Sequence, residues 1–325
     1  MSEADGIINA YILRGDGTAA ELKTYADLAA HWETGETLWV HLHYNNPGAK
    51  RWLLEKSGLD HVVVEALEAE KPRPRTDVFE GGVMVTLRGV NLNPGAEPDD
   101  MIAVRLWMDS KHIITVRRMK LMAIDDIRQD IARGCAPRST VDLLAILARR
   151  LAERMRPVIV NLDELTDDLE DTVLTAPGHE IRTGLATIRR QAIALRRHIG
   201  PERDAMQNLV SLDLPWISVR DKNRFREVAD SVTRFVEDLD SVRERAAVMQ
   251  DEVGNRLSEQ INRNMYLLSL IAAVFLPLGF ITGLLGINVG GIPGEGTPWA
   301  FIAVCAVLVA VAAVEIWLLR SKKWF

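Results

Sequence analysis

Two apolar stretches near the C-terminal end limit what this chain can fold into more than any other feature. Residues 265–287 (MYLLSLIAAVFLPLGFITGLLGI) contain no charged side chain, and residues 299–319 (WAFIAVCAVLVAVAAVEIWLL) contain one, Glu315. A helix rises about 1.5 Å per residue and the hydrocarbon core of a bilayer is about 30 Å thick, so about 20 residues suffice to cross it. Both stretches are long enough. The connection, residues 288–298 (NVGGIPGEGTP), is short and rich in Gly and Pro, which makes it a loop. Two such runs joined so tightly predict a pair of transmembrane helices rather than two buried core helices.

Average composition conceals this. The 325 residues are 48% hydrophobic and 26% charged, ordinary values for a soluble protein. The charges lie almost wholly in residues 1–264, because 265–319 hold only Glu295 and Glu315 and no Lys or Arg. Arg256 and Arg263 precede the first span, and Arg320, Lys322 and Lys323 follow the second. That bias predicts cytoplasmic termini and a loop on the far side of the membrane. Tyr266, Trp299, Trp317 and Trp324 stand where interfacial aromatics belong. The first residues lack a basic segment followed by an apolar run, so no cleavable signal peptide is expected and targeting falls to the two spans. Cys135 and Cys305 are isolated, which excludes a disulfide framework or a CxxC metal site.

Upstream of the first span, apolar residues recur at Phe225, Val228, Val232, Phe235, Leu239, Val242, Ala246, Met249 and Val253. The steps of three and four are those of a coiled-coil seam. No proline separates Pro215 from Pro277, so the spacing predicts one helix of about 100 Å running from about residue 218 into the membrane. The alternative is two helices with a bend near Gly254. Before this stalk, residues 1–134 alternate strand and helix patterns. GIINAYILR, TLWVHLHY, GVMVTLRGVNL, MIAVRLWMD and HIITVRR read as strands, the last two a hairpin. AELKTYADLAAHWE, AKRWLLEKSG, HVVVEALEAE and LMAIDDIRQDIARG read as helices, which together give a mixed sheet flanked by helices. Residues 139–175 and 179–209 read as an antiparallel helical pair. The expected organisation is an α/β cytoplasmic domain over 1–135, the helical pair over 136–215, the stalk over 216–264 and a membrane domain over 265–325.

The helical pair is asymmetric in charge. Asp163, Glu164, Asp167, Asp168, Glu170 and Asp171 crowd one side of the turn, whereas Arg182, Arg189, Arg190, Arg196, Arg197 and Arg203 follow it. The acidic tip is either a cation-collecting surface or a solvated face with ion pairs between helices.

The tripeptide Gly286-Ile287-Asn288 ends the first span, follows Phe275-Leu276-Pro277-Leu278, and precedes a second span with a basic tail. In that setting it resembles the CorA family of divalent metal-ion transporters, which usually carries Gly-Met-Asn here. Ile287 in place of Met, the loop Val289-Gly290-Gly291-Ile292-Pro293-Gly294 in place of an acidic sequence, and the run from Leu87 to Pro98 resemble the zinc-transporting branch of that family. The resemblance implies a homopentamer with a funnel-shaped cytoplasmic domain that transports Zn²⁺, with uptake coupled to H⁺. The remaining expectations are a lipid environment, divalent cations as cargo, no cofactor and no nucleic-acid partner.

Two spans per chain cannot enclose water, so a pore needs several copies about an axis. Read in steps of three and four, the inward face of the first span then carries Asp251, Asn262, Met265, Leu276 and Gly283, with Asn288 at the mouth. Inside the membrane this lane has no charge, as the cost of burying one there demands. A ring of Asn288 amides suits a hydrated cation, because carbonyl dipoles bond its water shell without stripping it; Asn is equally at home as a helix C-cap. Leu276 and Met265 read as apolar constrictions. Glu295 is either an outer ring that concentrates cations or a plain loop carboxylate, and Asp251 either holds departing ions or pairs with an arginine. Zn²⁺ prefers Cys and His ligands, and the lane has neither. His41 and His43 share one face of a predicted strand and make at most half a metal site. No P-loop, nucleophile–base constellation or metal-ligand cluster points to an enzyme.

Overall fold

The structure, a computed structural model, describes residues 6–43, 45–69, 72–173, 178–286, 294 and 296–321. The chain forms two compact units, Met1–Gln250 and Asp251–Phe325.

The first unit contains a seven-stranded mixed sheet. β1 (Ile7–Leu13), β2 (Ala19–Glu21), β3 (Thr37–His43), β4 (Arg75–Phe79), β5 (Gly82–Gly89), β6 (Ile102–Met108) and β7 (His112–Arg117) lie in the order β2-β1-β3-β7-β6-β5-β4. β3 and β7 run parallel, and the other neighbours are antiparallel. Alternation along β3 sends Leu38, Val40 and Leu42 into a core shared with Leu28, Trp52 and Val64. Those three residues come from α1 (Tyr25–Trp32), α2 (Pro47–Glu55) and α3 (His61–Glu68). α4 (Met122–Ala132) follows β7 and buries Ala123, Ile124 and Ile127.

Two strands escape the sequence patterns. Residues 20–33 read as one helix, yet Ala19–Glu21 pair with β1 as a short edge strand. The helix begins only at Tyr25, where Thr24 and Asp27 form a capping box that satisfies the first free amides. β4 was hidden because RTDVF has no alternating apolar face. It is held by its register with β5 through the turn at Glu80-Gly81, where Gly81 has φ 85° and Gly82 lies against the Trp107 ring.

Three long helices complete the first unit's packing: α5 (Thr140–Thr172), α6 (Gly178–Ser211) and the portion up to Gln250 of α7 (Val219–Leu285). α7 shows no helix break at Gly254, so the single-helix reading holds. All of the seam residues from Phe225 to Val253 are buried within the single chain. The spacing alone does not say what covers this seam. In the first unit its apolar face is covered by the chain's own bundle, as the cross-helix bonds show. Arg224 on α7 donates to Asp142 on α5, and Arg196 on α6 grips Asp240 on α7 through Nε and Nη2 at 2.9 and 3.2 Å. Arg156 on α5 lies over the Phe235 ring on α7.

Arg245 settles half of the acidic tip. It reaches across from α7 to Asp163 at 3.1 Å, to Glu170 at 2.6 Å and to Asp167. These carboxylates hold its guanidinium well above the ordinary arginine range. The pairing partner is α7, and no described arginine of α6 pairs with the tip.

Glu202 on α6 is almost wholly buried, and burial pushes its carboxyl up to about 8 against the opposing pull of Arg88. A carboxyl held protonated by the fold contributes stability that is complete below its ordinary value of 4.5 and is lost as pH rises through about 8. Between those limits the loss is on the order of a few kcal/mol. Glu202→Gln should flatten that dependence. Thermal unfolding of the detergent-solubilised chain at about pH 5 and about pH 8.5 checks it, and identical pH profiles for both proteins would contradict the assignment.

The second unit holds the remainder of α7 and α8 (Ala300–Ser321). Both helices are long and apolar enough to cross a membrane, and neither apolar stretch is buried inside the chain. Such helices need an apolar solvent or further copies to cover them.

Candidate functional site

The seam and the faces turned away from it divide α7. On the first-unit portion, Val228, Val232, Phe235, Leu239, Val242, Ala246 and Met249 are inside, while Asp230, Glu237, Glu244 and Val248 are exposed. The three carboxylates recur at seven-residue steps. Seven residues turn a helix by nearly two full turns, so they share one face at intervals of about 10.5 Å. None of the three has an ion pair to another described residue. The expected lane named Asp251 but missed these upstream acids; counting sevens backwards from Asp251 finds them.

On the second-unit portion, Asp251, Asn262, Met265, Leu276 and Gly283 are all exposed in the single chain, Leu276 at 73%. Val253, at 6%, is the last buried seam position. Leu257 and Ile261, which continue the seam by spacing, are exposed. Gly279 and Gly283 stand four residues apart, and a Cβ at either would meet nothing within 4 Å. They leave the helix surface open there, the pattern that admits close helix approach in a membrane. Pro277 lies inside the helix. The Thr282 hydroxyl donates back to the Leu278 carbonyl at 3.0 Å, and the Gly286 amide donates to the Thr282 carbonyl at the same distance. Ile287, Asn288 and Glu295 lie outside the described residues.

The two histidines are not brought together as a metal site. His41 is fully buried on β3 with Nδ1 2.8 Å from the Thr115 hydroxyl. Burial, then the nearby Arg117, push its ring well below the usual histidine range, so it is neutral. The Trp39 indole donates to that same hydroxyl at 2.9 Å. His41 thus belongs to a buried polar cluster in the sheet. His43 is half-buried, and its Nδ1 accepts from the Asn45 amide at 3.3 Å. Among the described residues, no group of three or more His, Cys, Asp and Glu side chains is placed to hold a metal ion.

The CorA-like Mg²⁺ transporter protein family matches residues 34–322. The divalent cation transporter CmaX of Pseudomonas aeruginosa is 35% identical, with 98% of this chain and 97% of that protein covered. The zinc transport protein ZntB of Pectobacterium carotovorum is 37% identical, with 98% and 96% covered. The structure of full-length CmaX superposes with a TM-score of 0.85 over 99% of both chains. With one family pattern spanning nearly the whole length, and a sheet, a helical bundle and two bare apolar helices in the same order, the chain belongs to the CorA-like Mg²⁺ transporter family.

Proposed function

We propose that this chain is a membrane transporter of divalent cations, with Zn²⁺ as its principal cargo, acting as a homopentamer whose α7 helices surround the conducting path. The observation that carries the reading is the two-faced construction of α7. Its seam is used up inside the chain as far as Val253, while the polar lane through Asp230, Glu237, Glu244 and Asp251 is left free. Counted from Asp251 at about 100° per residue, Asn262, Met265, Leu276 and Gly283 fall within a sector about 60° wide. In a ring, that lane becomes a column of carboxylates leading to an uncharged membrane segment. Carboxylates concentrate cations by their field without stripping water. The uncharged stretch, with Leu276 as an apolar constriction, avoids the cost of a fixed charge at membrane depth. Asn288 supplies amide dipoles at the mouth, and Glu295 adds charge outside it.

Zinc is supported by the ZntB relatives, by Ile287 and by the uncharged run from Val289 to Gly294 that follows Asn288. Uptake coupled to protons, a bacterial inner-membrane location and cytoplasmic termini complete the reading. The flanking arginines and lysines support the last of these. A second reading, a Mg²⁺, Co²⁺ or Ni²⁺ channel, is favoured by one observation. The lane contains no Cys or His, the ligands that select zinc.

Purified chain in liposomes, loaded with a metal-sensitive dye and challenged with each cation, separates the two. Zinc entry that exceeds magnesium entry and quickens when the outside is acidic supports the proposal. Magnesium entry that exceeds zinc entry and ignores pH replaces it with the second reading, and no flux of any metal overturns both.

A further inference from the structure

The hairpin of α5 and α6 carries two stripes of opposite charge that are not paired with any other described residue. After Arg245 has taken Asp163, Asp167 and Glu170, the exposed acids Glu164, Asp168 and Asp171 remain on α5. After Arg196 has taken Asp240 and Arg189 has taken Gln250, exposed Arg182, Arg190 and Arg197 remain on α6. None of these six pairs with another described residue, although the two helices are neighbours. The stripes therefore face away from each other.

Each stripe is a continuous face with an apolar member. At 100° per residue, Val160, Glu164, Asp168 and Asp171 fall within a sector about 80° wide. Arg182, Ala186, Arg190, Ile193 and Arg197 fall within another of the same width. Val160 and Ile193 are each 48% exposed, one on each stripe.

The two faces are also in register. A Cβ on Gly184 would lie 2.9 Å from Leu169 Cδ1, so those two residues meet across the hairpin and fix its levels. Residues equally far from that contact, in opposite directions along the two helices, lie at one height. By that rule Asp171 is level with Arg182, Glu164 with Arg189 beside Arg190, and Val160 with Ile193. Rotation of a second copy about an axis parallel to the hairpin leaves heights unchanged. It brings α6 of one copy against α5 of the next, with apolar residue opposite apolar residue and acid opposite base.

We propose that this α6 stripe docks on the α5 stripe of an adjacent copy of this chain, as a head-to-tail contact repeated around the ring. The contact is heterologous, the type that closes into rings. Its opposite charges fix register and exclude a reversed neighbour rather than supply most of the affinity. The inference rests on the ring reading above, and its test separates the two.

In a chain carrying Cys135→Ser and Cys305→Ser, Val160→Cys and Ile193→Cys are introduced together, and each is also introduced alone and the two singles co-expressed. Mild oxidation in native membranes should give covalent multimers from the double variant, and dimers but nothing larger from the co-expressed singles. Each single alone should stay monomeric on a denaturing gel. Adding Arg190→Glu should cut the yield at least fivefold, and adding Glu164→Arg to that protein should restore it. A wild-type chain that is oligomeric by light scattering while the cysteine pair gives no multimers overturns this surface and leaves the ring standing. A wild-type chain that is monomeric overturns both.

Discussion

Leu239→Ala should lower the stability of the helical bundle by about 2–5 kcal/mol, the usual result of emptying a fully packed leucine site. Leu239 has no exposed surface and lies mid-seam on α7, with Phe235 and Val242 a turn to either side. The helices around it are pinned by the Arg196–Asp240 and Arg245 ion pairs, so the backbone has little freedom to collapse into the void. The same truncation at Leu276, on the same helix, should leave the unfolding of the bundle unchanged, because that side chain is 73% exposed. Thermal unfolding of the solubilised protein, followed by tryptophan fluorescence, reads both. Equal losses at the two positions would mean that the division of α7 into a structural and a functional portion is wrong.

Asn288→Ala should reduce divalent-cation flux by at least about tenfold, since each copy in a ring would lose the amide dipole that meets the hydrated ion. Asn288→Asp should keep or raise cation entry, because charge of the favourable sign replaces a dipole at the same place. The two variants together separate pore chemistry from capping. Asn and Asp both serve at helix ends, so a capping role predicts little effect from Asp, while loss of the cap in Ala would appear as lower thermal stability as well as lower flux. Liposome uptake with the melting temperature measured alongside decides this. Unaltered uptake in Asn288→Ala would remove the mouth of the proposed path.

Much of the architecture was legible in the residues because it follows from period and length. The two spans needed only enough residues with no more than one charge, Glu315 in the second. The seam from Phe225 to Val253 was legible as a buried face, but not what buries it. Spacing of three and four records that a helix has an apolar stripe, and that stripe fits a second copy or the chain's own α5 and α6 equally well. The long-range ion pairs Arg224–Asp142, Arg196–Asp240 and Arg245 to the α5 acids decide between them, and no local pattern announces pairs so far apart in sequence. β2 and β4 were missed for related reasons. Ala19–Glu21 is too short to show alternation, and Arg75–Phe79 is held by its partner strand rather than by its own side chains.

The candidate path was legible in part. Steps of three and four placed Asp251, Met265, Leu276 and Gly283 on exposed faces of one helix, whereas the carboxylates at Asp230, Glu237 and Glu244 were overlooked beside the conspicuous acidic tip. Half of that tip pairs with Arg245, which no inspection of the α5–α6 hairpin alone would reveal. Alternate positions put the two histidines on one strand face, at most half a metal site with a core or surface role favoured, and the sheet buries His41 as a neutral member of a hydrogen-bonded cluster.

The claim on which the functional account depends is that α7, and not α8, faces the conducting path. Single cysteines placed along both helices, in a chain without Cys135 and Cys305, are tested with a small, water-soluble, positively charged thiol reagent while flux is followed in liposomes. The account predicts that Leu276→Cys and Gly283→Cys are modified and lose flux, and that Ile302→Cys and Val309→Cys on α8 react slowly without effect. Block from the α8 positions, with Leu276→Cys and Gly283→Cys inert, would contradict it.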